Sequence, residues 1–239
     1  MAVVEKGQPS AEPAHGETAI LEAARDLLVN RGVDGLSMRQ VAEQVGVSAT
    51  AIYHYFSGKQ DLVNRVVLTA FERFGNYLRD AMALHPEGSI ERIEALGYAY
   101  LRFALENQEY YRVMFHIHPE ERDSLAALPD GGGYDLLRQA VVDALAAGTI
   151  RGPRVSGDAE LTVSQDGYPD ILAMYLWSTV HGLVTLALCG ATDHCNVGGP
   201  ASVFSLYEAF TPFIAEGIMA PKGGNEVKEK ESDRDREVE

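Results

Sequence analysis

The 239-residue chain is poor in several things that define protein classes. It has two cysteines, Cys189 and Cys195, too few for a disulfide framework, so a reducing compartment is the simplest setting. No run of about 18 or more uninterrupted apolar residues occurs, so no membrane span is expected. The first residues lack a charged stretch followed by an apolar core, so no secretory signal and a cytoplasmic setting are expected. There is no Gly-rich phosphate loop at a strand end, no Gly-x-Ser-x-Gly and no strand-rich pattern to hold either. No catalytic residue and no cofactor are therefore assigned, and the run "DGGGYD" reads as a linker. Basic charge is also short: 20 Lys and Arg against 35 Asp and Glu leave a net charge of −15. That balance argues against broad nonspecific nucleic-acid binding but leaves room for a small local site.

What is present is an ordinary globular composition, 46% hydrophobic and 23% charged, long enough for one large domain or two small ones. Residues 17–65 hold five basic against six acidic side chains, so most of the negative charge lies further on. Residues 1–16 and 220–239 carry few large apolar side chains, and both ends are expected to be disordered and solvated.

The periodicity is helical nearly everywhere. Ile20, Ala24, Leu27 and Leu28 form one stripe that Gly32 stops. Ser37 with Gln40 makes a capping box, flanked by Leu36 and Val41 as a hydrophobic staple. Met38, Val41, Ala42 and Val45 supply that helix's apolar face before Gly46 ends it. A third helix starts after Ser48 and buries Ile52 and Phe56. A long fourth helix is expected from a second box, Ser57 with Gln60, through Leu62, Val66, Ala70 and Phe74 towards Met82.

Two short helices joined by a Gly-Val-Ser turn have the spacing of a helix-turn-helix, whose second helix enters a DNA major groove. Ala49, Thr50 and Ala51 offer small methyls and a hydroxyl suited to close approach to base edges. Tyr53, Tyr55 and Lys59 have the reach for phosphate oxygens, which fix register rather than sequence. The start of the fourth helix favours a phosphate as well. Short helices with glycine turns also occur in many helical proteins that bind no DNA.

The stretch "GLSMRQVAEQVGVSATAIYHYFSGKQDLVNRV" resembles the DNA-binding domain of the TetR (tetracycline repressor-like) regulators. The match lies in Leu-Ser-x-Arg, Val-Ala…Gly-Val-Ser, Tyr-x-Tyr-Phe and Lys-x-x-Leu, over residues 17–65. The resemblance implies an all-α chain: a three-helix helix-turn-helix domain at 17–65, joined by a long fourth helix to a helical effector-binding and dimerising domain at 66–219. It implies DNA contacts from Ser37, Arg39, Ser48, Ala49, Thr50, Ala51, Tyr53, His54, Tyr55 and Lys59. Arg39 is the one candidate for a bidentate guanine contact; its alternative is an ion pair with Glu43 one turn on. The recognition helix holds no Arg, Lys, Asn or Gln, so DNA shape and methyl contacts carry more of the specificity. The partners implied are double-stranded operator DNA, a small-molecule effector and a second copy of the chain.

Further helices are expected at 90–106, 108–116, 134–148, 171–190 and 201–217. Gly152, Pro153, Gly157 and Gly167 mark residues 151–169 as a flexible loop. "NQEYYRVMF" resembles the family's short sixth helix, and "WSTVHGL" the Trp-His-Gly signature of one subgroup. In the family the last two helices form a four-helix bundle with a second copy, which assigns 171–190 and 201–217 to a homodimer interface. Met174, Trp177, His181, Val184 and Leu188 share one stripe, and Gly182 leaves room for another helix. Tyr98, Phe103, Met114, Phe115, Trp177 and His181 offer large apolar faces with few polar tips, the makings of a site for an aromatic or lipid-like effector. The alternative is that they fill the core. His116, His118, His181, His194 and the cysteines are metal-ligand types without a strong zinc spacing, so no metal is assigned. A repressor released by its effector is the reading favoured here; the alternatives are a metal-sensing regulator and a helical interaction protein that binds no DNA.

Overall fold

A computed structural model of the chain describes residues 16–116, 132–151, 167–194 and 203–218. The regular elements among them are helical. The first three are α1 (Glu17–Arg31), α2 (Met38–Val45) and α3 (Ala49–Tyr53). The long helix α4 (Lys59–Met82) follows, then α5 (Ile90–Glu106) and α6 (Gln108–His116). The last three are α7 (Gly133–Ala146), α8 (Tyr168–Leu188), with a 3₁₀ turn at Ala191–His194, and α9 (Val203–Ile218). The expected loop at 151–169 is shorter at its end: Gly167 precedes the first turn of α8, and Pro169 sits in that turn, where the missing N–H has no intrahelical partner to lose. Residues 152–166 of that loop, together with His118, Cys195 and both chain ends, lie outside the described residues.

The first three helices close on one another through side chains chosen by period. Ile20, Ala24 and Leu28 of α1, Val41 and Val45 of α2, and Ile52 of α3 are buried together. Burying a side chain such as Ile52 completely is worth about 1.5–3 kcal/mol, which is how a five-residue helix holds its place. Gly46 ends α2 at φ +78°, the left-handed region, and its N–H and that of Val47 both reach the carbonyl of Ala42. Such a cap reverses the chain in two residues and sets α3 across α2.

The α4 helix joins the two parts of the molecule. Its 24 residues span about 36 Å at roughly 1.5 Å per residue. Leu62, Val63, Val66 and Val67 are buried along its first half. Phe74 further along meets Tyr100 and Phe103 of α5 at ring separations of 5.1 and 5.2 Å. Helix α6 packs on both α1 and α4, and α8 packs on α5, α7 and α9. By length and hydropathy α8 would suffice to cross a membrane, yet Leu172, Ala173, Leu176, Val180, Leu183 and Val184 bury one side of it in this bundle.

Candidate functional site

Two side-chain caps build the first candidate site. Ser37 Oγ accepts the Gln40 N–H at 3.3 Å, and the Ser37 hydroxyl donates to Gln40 Oε1 at 3.0 Å. Ser48 Oγ accepts the Ala51 N–H at 3.2 Å. With Ile52 and Phe56 turned inward, α3 has only one outward surface. Thr50 and His54 are exposed there, Ala49 and Ala51 are half-buried, and Tyr53 and Tyr55 are 55% and 50% exposed. Both tyrosines present an apolar ring and a polar hydroxyl to the outside. Arg39 is exposed on α2, and among the described residues no ion pair joins it to Glu43.

The start of α4 departs from expectation. Gln60 does not close a box with Ser57; its amide instead donates to Asn64 at 3.0 Å. Asp61 takes the role: its Oδ2 accepts from the Ser57 N–H at 2.8 Å and from the Ser57 hydroxyl at 3.0 Å. An ionised carboxylate is the stronger acceptor at a helix start. Its charge also weakens the phosphate affinity expected of that terminus. Lys59 is half-buried and donates to the Asp34 carbonyl at 3.5 Å.

The second site is an aromatic cluster between α5, α6 and α8. Tyr100 Oη and Tyr111 Oη lie 2.8 and 2.9 Å from Nδ1 of His181. Trp177 Nε1 donates to Tyr100 Oη at 3.4 Å. Phe115 packs 4.8 Å from the His181 ring, and Tyr134 of α7 lies 5.8 Å from Trp177. Tyr100 and Tyr111 are buried, while Phe115, Tyr134, Trp177 and His181 keep part of their surface open. Burial pushes both the Tyr100 and Tyr111 hydroxyls above the usual phenol range, so each holds its proton as a donor. Beside them Arg138 donates to Asp170 at 2.8 Å and holds that carboxyl below its usual value, with Tyr134 as a second donor.

Of the six side chains expected at the effector site, Phe115, Trp177 and His181 meet. Tyr98 does not join them; it packs edge-on against Tyr207 of α9, 4.9 Å away. Phe103 is fully buried against Phe74 and Tyr77 of α4, and Met114 is buried in the core. Met174 leaves the stripe expected for α8, since it is 49% exposed on the outer side. Among the described residues nothing lies within 4 Å of a Cβ added at Gly182. Sequence reasoning missed Tyr100, Tyr111 and Tyr134. Tyr111 had a usable signal, because it stands four residues before Phe115 on the same face of α6. Among the described residues no three His, Cys, Asp or Glu side chains gather as a metal site.

Comparison with known proteins places both regions. The family model described as bacterial regulatory proteins, tetR family, matches residues 20–66. A second, described as a tetracyclin repressor-like C-terminal domain, matches residues 93–206. The HTH-type transcriptional regulator Rv1816 of Mycobacterium tuberculosis is 24% identical over 207 residues, covering 79% of this chain and 87% of its own. A protein of unknown function from Rhodococcus sp. RHA1 is 27% identical, with a TM-score of 0.66 over 90% of this chain and 100% of its own. FadR of Bacillus subtilis, a transcriptional regulator solved with stearoyl-CoA, shares the fold at 14% identity, with a TM-score of 0.62 over 84% of this chain and 98% of its own. The helix-turn-helix at the front and the helical bundle behind it thus match two parts of one family, and the chain belongs to the TetR family of bacterial transcriptional regulators.

Proposed function

We propose that the chain is a cytoplasmic repressor that binds a pseudo-palindromic operator as a homodimer and leaves it when a small apolar or aromatic molecule binds. Residues 17–65 serve as the DNA-binding domain and 66–219 as the effector-binding and dimerising one. The observation that carries the DNA reading is α3 itself, a helix fixed by one cap and one buried isoleucine, with small side chains and two open tyrosines outward. Ala49, Thr50 and Ala51 approach base edges and thymine methyls, Arg39 reads guanine, and Tyr53, Tyr55 and Lys59 hold phosphates. Ser37, Ser48 and His54 flank that face.

The effector reading rests on Phe115, Trp177, His181, Tyr100 and Tyr111, an aromatic wall around a few polar tips. The stearoyl-CoA held by FadR supports an apolar ligand in this fold. For the dimer, Ile171, Met174, Tyr175 and Leu186 leave an apolar stripe outward along α8, and Phe213 of α9 is 75% exposed. Gly182 within that stripe would let a second backbone come close.

Selection of bound DNA from a random library with the full chain tests the central claim. An inverted repeat with half-sites roughly 34 Å apart, or somewhat more if the dimer spreads them, is the expected product. Recovery of a single asymmetric half-site, or of no sequence at all, contradicts it.

A further inference from the structure

A cleft of about 730 Å³ opens between the second half of α1, the end of α2 and the start of α6. None of the residues assigned above to the DNA face or to the aromatic cluster lines it. Its size is that of a small-molecule site, but its walls are not those of an apolar one. Leu27 and Val29 are the only hydrocarbon side chains in its lining. The others carry charges or amides, so a ligand here has to be polar.

Three arginines line this space: Arg25, Arg31 and Arg112. Arg25 is committed, because its Nε and Nη2 donate to Asp26 Oδ1 at 2.9 and 2.7 Å and its guanidinium lies 4.7 Å from the Tyr110 ring centroid. Arg31 and Arg112 are exposed, and among the described residues neither has a hydrogen-bond or ion-pair partner. Glu109 stands three residues before Arg112 on α6, the spacing of a surface ion pair, yet the two do not pair. Asn30 donates from Nδ2 to the Asp26 carbonyl at 2.8 Å and keeps a second N–H, and Gln44 adds another side-chain amide. With Asp26 neutralised by Arg25, two guanidiniums stand against the single carboxylate of Glu109. On a chain of net charge −15 most of the surface repels an anion, and a local excess of guanidinium is where one is held.

We infer that this cleft binds a small polar molecule with at least two negatively charged groups, phosphate or carboxylate, one held by Arg31 and the other by Arg112. Asn30 and Gln44 supply further donors. A guanidinium offers a planar fork of N–H groups that matches either anion. Two groups are required because the free guanidiniums stand on different helices. Arg31 and Gln44 fall in the part of the chain matched at 20–66, and Glu109 and Arg112 in the part matched at 93–206. A ligand that bridges them ties α1 to α6, and so the DNA-binding part to the bundle behind it.

Calorimetric titration of the full chain at constant ionic strength tests this with inorganic phosphate, pyrophosphate and citrate as probes. One equivalent of pyrophosphate or citrate is expected to bind, about tenfold more tightly than inorganic phosphate, which reaches only one of the two arginines. Preference for pyrophosphate assigns a phosphate-bearing ligand, and preference for citrate a polycarboxylate. Arg31→Ala and Arg112→Ala should each weaken the preferred probe about tenfold or more. Both side chains are exposed, so the variants should keep their fold, which their helical content and unfolding midpoint check. Glu109→Gln removes the opposing charge and should tighten binding about two- to fivefold, a gain that damage to the fold does not imitate. Arg102→Ala, an exposed arginine of α5 outside the cleft, should leave binding unchanged. Absence of binding by all three probes overturns the site, and so does binding that survives loss of Arg31 and Arg112 or falls equally in Arg102→Ala. Equal affinity for phosphate and pyrophosphate, or two equivalents bound, overturns the bridge.

Discussion

Tyr110 and Tyr111 are neighbours on α6 and face opposite parts of the molecule. The Tyr110 ring lies between the guanidinium groups of Arg25 on α1 and Arg73 on α4, at 4.7 and 4.6 Å from its centroid. Tyr111 turns the other way, to His181 of α8. One turn of α6 therefore touches both the helices behind the recognition element and the floor of the candidate effector site. A single peptide unit joins the Tyr110 contacts to Arg25 and Arg73 with the Tyr111 contact to His181.

The two tyrosines should respond oppositely to loss of their hydroxyls. The Tyr110 hydroxyl is buried with no hydrogen-bond partner, and its ring supplies the cation–π contacts. Tyr110→Phe keeps those contacts and removes an unsatisfied polar atom, so stability should hold or rise by up to about 1 kcal/mol. Tyr111→Phe removes a hydrogen bond from a buried cluster and should cost about 0.5–1.5 kcal/mol. Urea unfolding of the two variants decides; a loss above about 1 kcal/mol in Tyr110→Phe would mean that the hydroxyl has an acceptor after all.

Reading of bases and anchoring to phosphates are separable at Arg39 and Lys59. Lys59→Ala should weaken cognate and random DNA alike and flatten the dependence of binding on salt by about one unit or less. Arg39→Ala should lose about 1–3 kcal/mol, mainly on the cognate site. Titrations of both variants at two salt concentrations check this, and equal losses on the two DNAs would remove Arg39 from base reading.

The helix-turn-helix was legible because its signals are local. Ser37 and Ser48 cap within three residues, Gly46 supplies a backbone conformation few residues adopt, and Ile52 and Phe56 stand one turn apart. The cap at α4 was misread because Gln60 and Asp61 both lie within reach of Ser57, and the pattern of a box does not weigh an amide against a charge. The aromatic site was legible only in part. Tyr98 and Tyr100 are two residues apart on α5, so helical geometry sends them about 200° apart and only one can meet α8. Which one does so depends on how α5 is rotated, and that is set by Phe74 on α4 and Tyr207 on α9, far away in the chain.

Gly97 holds the seat of Tyr207. A methyl group there would overlap the Tyr207 hydroxyl, which reaches for the Glu94 carbonyl at 3.5 Å. Alanine gains about 0.5–1 kcal/mol of helix propensity over glycine, while forcing a ring out of a packed seat costs about 1–3 kcal/mol. Gly97→Ala is thus expected to lower stability by about 1–2 kcal/mol and to loosen α9. A double-mutant cycle with Tyr207→Leu should show the two changes partly cancelling; strict additivity would place the strain elsewhere.

The outward stripe of α8 supplies the last test. Leu186 is 52% exposed and Met174 49%, so a charge at either position costs an isolated chain little. In a four-helix contact between two copies the same charge is buried without a partner, at a cost of several kcal/mol. Leu186→Glu and Met174→Glu should therefore keep their helical content and unfold cooperatively. Light scattering should give a mass near 26.0 kDa for each variant, against twice that for the wild type. Operator affinity should fall with the loss of the dimer, because one recognition helix reads one half-site and a two-fold pair reads both in a single encounter. A variant that stays dimeric and binds its operator unchanged would show that the two copies meet through another face.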